Sequence, residues 1–476
     1  MIGKNVFIRK ITIDILLLIS LGVYFFAPKD YSQPFITFCF LIFILTYLLF
    51  FQIKNDKNFF CFDFVFTIVF AFVYFMYPLF VFPINKTRFF MFNNGFNEDV
   101  INKATALALI GYQFFVLGFL SYRQSGNRKN REFSFNIISN TIPTNFLLIL
   151  VIFHFIQIYV FKAGLLYGEA GNANPNDSGG IWGYISIIRN GFIIASISIE
   201  FYNLFHQGKI GKWYKQNLLL WCVLFLEVIC TVSTGSRGGA LQIALMLFAG
   251  YAILRKGISF KQILLLMLIG FIALSFIVVA RSGGAFVFSF NILDMAMDLI
   301  INNYTLYVGY EYVQENGSVI FTLIGSLLSA IPLLQGIVVN TFNIPIDNTS
   351  SARFFSTLVL GDNPEFGVGT NIIGALYLSG GFFMVIFLMY LLGKFIAYIS
   401  CDLKNSSIYR LILFFSMMAN SVYIVRADYF YPVGKIVFGV LFVLIFTFPY
   451  LLKCDYRKIN NCVNNNELEV LDGYCL

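Results

Sequence analysis

Five arginines stand beside small, polar or aromatic residues in a chain that is otherwise strongly apolar: Arg189, Arg237, Arg281, Arg353 and Arg426. Arginine presents a planar fork that captures phosphate or carboxylate through two parallel hydrogen bonds, and it stays charged wherever it sits. Arg237 has the sharpest setting, Ser233-Thr234-Gly235-Ser236-Arg237-Gly238-Gly239, with an apolar run starting at Ala240. Glycines such as Gly238 let the backbone come close to an anion. Free N–H groups at a helix start, with a guanidinium and the Ser236 hydroxyl beside them, make a phosphate site. The same residues also suit a tight helical hairpin in which glycine only permits the turn. Arg281 precedes Ser282-Gly283-Gly284, and Arg353 lies in Thr349-Ser350-Ser351-Ala352-Arg353-Phe354-Phe355. Arg426 shares the turn Val425-Arg426-Ala427-Asp428-Tyr429-Phe430-Tyr431-Pro432 with Asp428, where a surface ion pair of little energetic value is the plain alternative. Taken singly, each arginine can also anchor or snorkel at a membrane interface.

The acids are more scattered. Glu311, Glu315, Asp294, Asp298, Asp362 and Glu365 lie between residues 281 and 371, and the one-turn spacing of Asp294 and Asp298 reads as a solvated helix face before a metal site. Glu227 falls in the middle of an apolar run and must be protonated or paired, and Arg189, about two turns into another run, needs an anion from the protein or from a substrate. His154 and His206 have no metal-like partner in sequence, and none of the 8 cysteines forms a CxxC or Cys/His ligand set. No metal and no cofactor is therefore expected. A second glycine-rich segment, Gly367-Val368-Gly369-Thr370-Asn371, leads into an apolar run and either offers another helix N-terminus to an anion or only gives flexibility.

The elements that hold these residues are membrane helices. Hydrophobic residues make up 59% of the 476 and charged residues 12%, about half the charged fraction of an ordinary soluble domain. Apolar runs long enough to cross a bilayer recur at 11–27, 34–51, 60–82, 101–120, 143–161, 181–205, 218–234, 240–254, 262–280, 372–392, 411–425 and 432–452. The expected fold is an all-α integral membrane protein of about twelve transmembrane helices. Nine fall in residues 1–280 and three in 372–452, and residues 453–476 form a tail. Residues 281–371 form a long loop with amphipathic or re-entrant helices capping one face, and 319–339 is one such helix interrupted by Pro332. The loop 162–180, rich in Gly, Asn and Asp, is a polar surface segment. With twelve spans, 21 of the 32 basic residues fall on the side that holds both termini, so that side is cytoplasmic and the five arginines lie towards the outer face.

This layout, with the Gly-Ser-Arg-Gly-Gly turn at 235–239 and the Gly-Val-Gly-Thr-Asn segment at 367–371, resembles the bacterial O-antigen polymerases of the inner membrane. The resemblance implies a membrane glycosyltransferase that joins undecaprenyl-diphosphate-linked oligosaccharide repeat units at the periplasmic face, among membrane lipids and beside a chain-length regulator protein. It implies that arginines hold the leaving diphosphate without a metal, and that a carboxylate such as Glu311, Glu365 or Asp428 takes the acceptor proton. Some members carry an Arg-x10-Gly pattern, from which this chain departs: Glu200 follows Arg189 and Pro364 follows Arg353 at that distance. An O-antigen ligase is the nearest alternative, disfavoured because no His follows His206. A lipid-linked oligosaccharide flippase is the alternative from another class, disfavoured by the single long loop.

Overall fold

The computed structural model describes residues 2–124 except 57, 141–159, 181–207, 217–233, 237–263 except 256, 265, 270, 293, 296–362 except 332, 364 and 366–447. The regular structure among the described residues is all helical, with no strand. The first eight helices are α1 Ile2–Phe25, α2 Gln33–Lys54, α3 Phe62–Tyr74, α4 Ile101–Gln124, α5 Thr141–Tyr159, α6 Ile181–Gln207, α7 Leu218–Ser233 and α8 Arg237–Leu254. After a single helical turn at Met297–Ile300 come four short helices: α9 Asn303–Asn316, α10 Phe321–Leu328, α11 Leu334–Phe342 and α12 Ser351–Leu360. They are followed by α13 Ile372–Ser400, α14 Ile408–Ala419 and α15 Val433–Thr447. Large apolar side chains such as Phe38, Ile149, Phe225, Phe387 and Ile445 remain exposed on the outside of this bundle, the surface a bilayer covers. The chain is an all-helical membrane protein. The expected loop 162–180 and most of the expected span 262–280 lie outside the described residues.

Helix–helix approach is set by glycine. A Cβ added to Gly118 on α4 sits 2.0 Å from the Tyr390 carbonyl oxygen, and one added to Gly393 on α13 sits 1.9 Å from that of Phe115. The α4 and α13 backbones therefore touch, as apolar solvent favours when packing and not water drives association. Gly191 of α6 meets the Phe438–Gly439 backbone of α15 in the same way.

Two expected spans, 60–82 and 372–392, and the expected re-entrant segment 319–339 each have a break in the helix. The run 60–82 is α3 followed by a π-helical turn, Tyr77–Val81, because Pro78 has no N–H to give the Tyr74 carbonyl. Asn303 Nδ2 donates to that carbonyl instead, at 3.4 Å. The run 319–339 is split into α10 and α11, with Leu333 at φ 68° between them, and neither helix alone reaches the length of a span. The run 372–392 is interrupted at Gly380 and Gly381, where Gly381 has φ 64° and ψ −155°. A Cβ on Gly111 lies within 4 Å of Ile373, Val385 and Met389 together. Twelve residues of straight helix would separate Ile373 from Val385 by ~18 Å. The chain therefore folds back at the glycine pair, and the crossing helix is 382–400. Residues 372–379 pack beside α9, whose Tyr310 stacks on Tyr377 at 4.7 Å.

Candidate functional site

Residues 420–431, between α14 and α15, are where the segments carrying candidate residues meet. Helix α14 ends at Ala419 with Asn420 as its cap, the chain passes through one tight turn at Ile424–Arg426, and Pro432 precedes the first residue of α15. A Cβ on Gly238 lies 2.6 Å from the Tyr423 hydroxyl, so the first turn of α8 rests directly on this segment. That helix begins at Arg237, three residues before the expected Ala240. On the other side, Ser351 at the start of α12 donates from N at 3.3 Å and from Oγ to Asp428 Oδ1. Ser351 Oγ also shares a 2.8 Å hydrogen bond with Thr370 Oγ1. Tyr429 donates to the Leu388 carbonyl of α13 at 3.0 Å.

Asp428 and Arg426 do not pair. The Arg426 guanidinium lies 5.7 Å from the centroid of the Tyr423 ring, while Asp428 turns to Ser351. Desolvation raises the Asp428 carboxyl from 3.8 to about 6, against the lowering effect of the Ser351 hydrogen bonds. Both of those bonds fall on Oδ1. The chemistry of such a group is that of a carboxylate still ionised at neutral pH but basic enough to accept a proton from a hydroxyl.

Lys435, in the first turn of α15, is 8% exposed. Its Nζ donates to Asn420 Oδ1 at 2.9 Å and to the Tyr431 hydroxyl at 3.3 Å, and lies 4.5 Å from the Tyr431 ring centroid. Asn420 is itself fixed by donating to the Ser416 carbonyl at 2.7 Å and accepting from Gln242 Nε2 at 3.3 Å. The Tyr423 and Tyr431 rings are neighbours, 6.2 Å apart. Two cations thus bracket a pair of tyrosines, and among the described residues no carboxylate lies within ion-pair distance of either.

The other candidate residues are placed elsewhere or only in part. Arg189 Nε lies 3.2 Å from Glu227 Oε1, and His154 Nδ1 3.2 Å from Glu227 Oε2, so α5, α6 and α7 share one buried ionic cluster. The protein supplies the anion that Arg189 needs. Arg353 Nε pairs with Asp347 at 3.3 Å on the surface of α12. Glu311 on α9 accepts from the Asn97 backbone N–H at 3.3 Å, which directs it to the start of α4 and away from the turn 420–431. The N-terminus led by Gly367–Asn371 is closed by the protein: Asn371 Oδ1 accepts from Gly374 N at 2.7 Å, and the Tyr74 hydroxyl accepts from Ile373 N at 3.0 Å. Ser236, Arg281, Asp294 and Glu365 lie outside the described residues, as does the side chain of Arg237. Tyr423, Tyr431, Asn420 and Gln242 carry no signal in the sequence that would single them out. Lys435 is there only one of eleven outward basic residues, and its place three residues after a proline gives no sign of burial.

Among the described residues no three His, Cys, Asp or Glu side chains converge as metal ligands would. A match to the family described as O-antigen polysaccharide polymerase Wzy covers residues 8–454. No curated protein and no solved structure shows a significant match to the chain.

Proposed function

We propose, from the premise that this chain belongs to the O-antigen polysaccharide polymerase Wzy family, that the turn 420–431 is where its glycosyl transfer takes place. The family acts on lipid-linked oligosaccharide repeat units, and the protein is a membrane glycosyl-transfer enzyme. The observation that supports this site is the meeting of Gly238, Arg426 and Asp428 on one short segment. In the proposed reaction the bond from the terminal sugar carbon of the growing chain to its diphosphate oxygen breaks, and its electron pair stays on the diphosphate. A bond forms between that carbon and a hydroxyl oxygen of the incoming repeat unit, whose proton passes to Asp428. Arg237 and Arg426 stabilise the charge on the departing undecaprenyl diphosphate by fixed positive charge, with no metal ion. Arg189 has its charge matched by Glu227 and serves to set the packing of α5, α6 and α7. Arg281, Arg353, Glu311 and Glu365 remain candidates for contact with the glycan. The reaction faces the periplasm of the inner membrane, both termini are cytoplasmic, and a chain-length regulator is the expected protein partner.

The test is polymerisation by purified protein given lipid-linked repeat units in excess EDTA. Wild type extends chains undiminished, Arg237→Ala forms no long chains, and Arg237→Lys recovers part, because a point charge does not replace a planar fork. Full chain length from Arg237→Ala removes Arg237 from the site. Activity lost to the chelator and restored by one divalent ion rejects metal independence and directs attention to Asp294 and Asp298.

A further inference from the structure

We infer that Lys435 is the anchoring cation for the diphosphate of the lipid-linked substrate, held ready by Asn420 and Tyr431, with no acid paired to it among the described residues. The inference rests on the polymerase reading above. An ammonium taken out of water costs several kcal/mol unless an anion or a full set of strong acceptors replaces the solvent. Inside a bilayer-spanning bundle such a group is rare, and it marks a ligand or ion pathway. The structure shows how other buried cations here are matched. Lys54 donates to both oxygens of Asp63 at 2.9 and 3.1 Å. Arg189 faces Glu227, and Arg410 donates to the carbonyls of Tyr398 and Cys401 at the end of α13. Lys435 has only a neutral amide oxygen, a phenol and a ring face among the described residues.

The surroundings fix its position. Asn420 cannot turn away without giving up its bonds to Ser416 and Gln242, so Oδ1 stays directed at the ammonium. One Nζ hydrogen bond of the three remains unassigned among the described residues, since Asn420 and Tyr431 take two. Next to Lys435, a Cβ added to Gly434 would lie 3.6 Å from the Ala330 Cα. Ala330 leads into the break before α11, where Ile331 and Leu333 are exposed. The first turn of α15, which carries Lys435, thus packs next to an apolar junction. A polyprenyl diphosphate, one multiply charged group on a long hydrocarbon, matches a buried cation on a helix turn that packs against an apolar junction. Arg426, across the adjacent tyrosine ring, provides a second positive group for the second phosphate.

The experiment is a thermal-shift titration of the full-length protein in detergent, with farnesyl diphosphate, inorganic diphosphate and phosphatidylglycerol as separate probes. Wild type, Lys435→Met, Lys435→Arg and Asp428→Asn are compared. A ligand that binds only the folded protein raises its melting temperature according to its affinity and concentration. Farnesyl diphosphate is expected to stabilise wild type and Asp428→Asn alike, and to bind Lys435→Met at least tenfold more weakly, with Lys435→Arg in between. Inorganic diphosphate shows the same order at lower affinity, and phosphatidylglycerol does not compete. Without ligand, Lys435→Met melts at or above the wild-type temperature, because an uncompensated buried charge has been removed. A Lys435→Met protein that melts lower without ligand and binds farnesyl diphosphate as wild type does shows Lys435 to be structural, and overturns the inference. Equal stabilisation by phosphatidylglycerol assigns the ammonium to a lipid headgroup and overturns it too. Wild-type polymerisation by Asp428→Asn, in contrast, rejects the proton-transfer role while leaving the binding result untouched.

Discussion

Asp428 and Glu227 are both acids held among helices, yet their surroundings give them different uses. Glu227 is enclosed between Arg189 and His154 and keeps its charge matched within the protein. Asp428 is held by one serine and has no cation within ion-pair distance among the described residues, so desolvation moves its carboxyl up to about 6. A base of that strength works in its ionised form, so chain extension should fall as pH drops through about 6. Asp428→Asn should lower the polymerisation rate by roughly 10²–10⁴-fold at neutral pH and abolish that acid limb. Stability runs the opposite way. The folded-state value of about 6 lies above the ordinary 3.8, so between these the folded protein holds the proton more tightly than the unfolded chain. Wild type should therefore gain melting temperature relative to Asp428→Asn as pH is lowered from 6 to 4. A wild-type pH–rate profile flat from 5 to 7 would contradict the role given to Asp428.

The glycine crossing with α4 positions α13, whose Leu388 carbonyl accepts from Tyr429 of the site. Gly118 and Gly393 each face a backbone carbonyl of the other helix, so no side-chain rotation relieves an added methyl. Gly118→Val or Gly393→Val should force the helices apart at a cost of about 1–3 kcal/mol or more, and should sharply reduce the folded protein recovered in detergent. Gly22, where an added Cβ would meet nothing within 4 Å, is the control: Gly22→Ala should accumulate as wild type. Fluorescence-detected size exclusion reads both, and equal recovery of all three variants would show that the crossing is not close packed. Helix positions are legible in sequence because runs of apolar residues register as spans wherever they lie. The crossing is not, because the contact between Gly393 and Phe115 depends on which helices become neighbours. Likewise, His154, Arg189 and Glu227 are visible in sequence as three awkward groups in three runs. Only the packing of α5, α6 and α7 places them at one depth. The reversal at Gly380–Gly381 is hidden for a related reason: hydrophobicity continues through both glycines, and composition does not register a change of direction.

At the scale of the whole molecule, the packing joins segments that the charge pattern expects on one side of the membrane. The turn before α3 and the segment after α8 are far apart in sequence, yet Phe59 N donates to the Ile258 carbonyl at 3.1 Å. At the opposite end, Asn102 Nδ2 donates to the Pro28 and Asp30 carbonyls, and the Tyr74 hydroxyl to Asn371. Segments assigned to one side by their basic residues are thus joined to one another. The fold-back at Gly380–Gly381 sets residues 372–379 beside α9 and leaves 382–400 as the long helix of that segment. On the proposed topology Lys404, just past the end of α13, is cytoplasmic, while Gly317 and Asn348, flanking α10 and α11, are periplasmic. Reporter fusions after Gly317 and Asn348 should be active only as periplasmic enzymes, and a fusion after Lys404 only as a cytoplasmic one. The fusion at Lys404 decides the matter, since a continuous crossing by α10 and α11 inverts everything after them. Periplasmic activity there would place the 420–431 turn, with Arg426, Asp428 and Lys435, on the cytoplasmic face, away from the glycan it is proposed to extend.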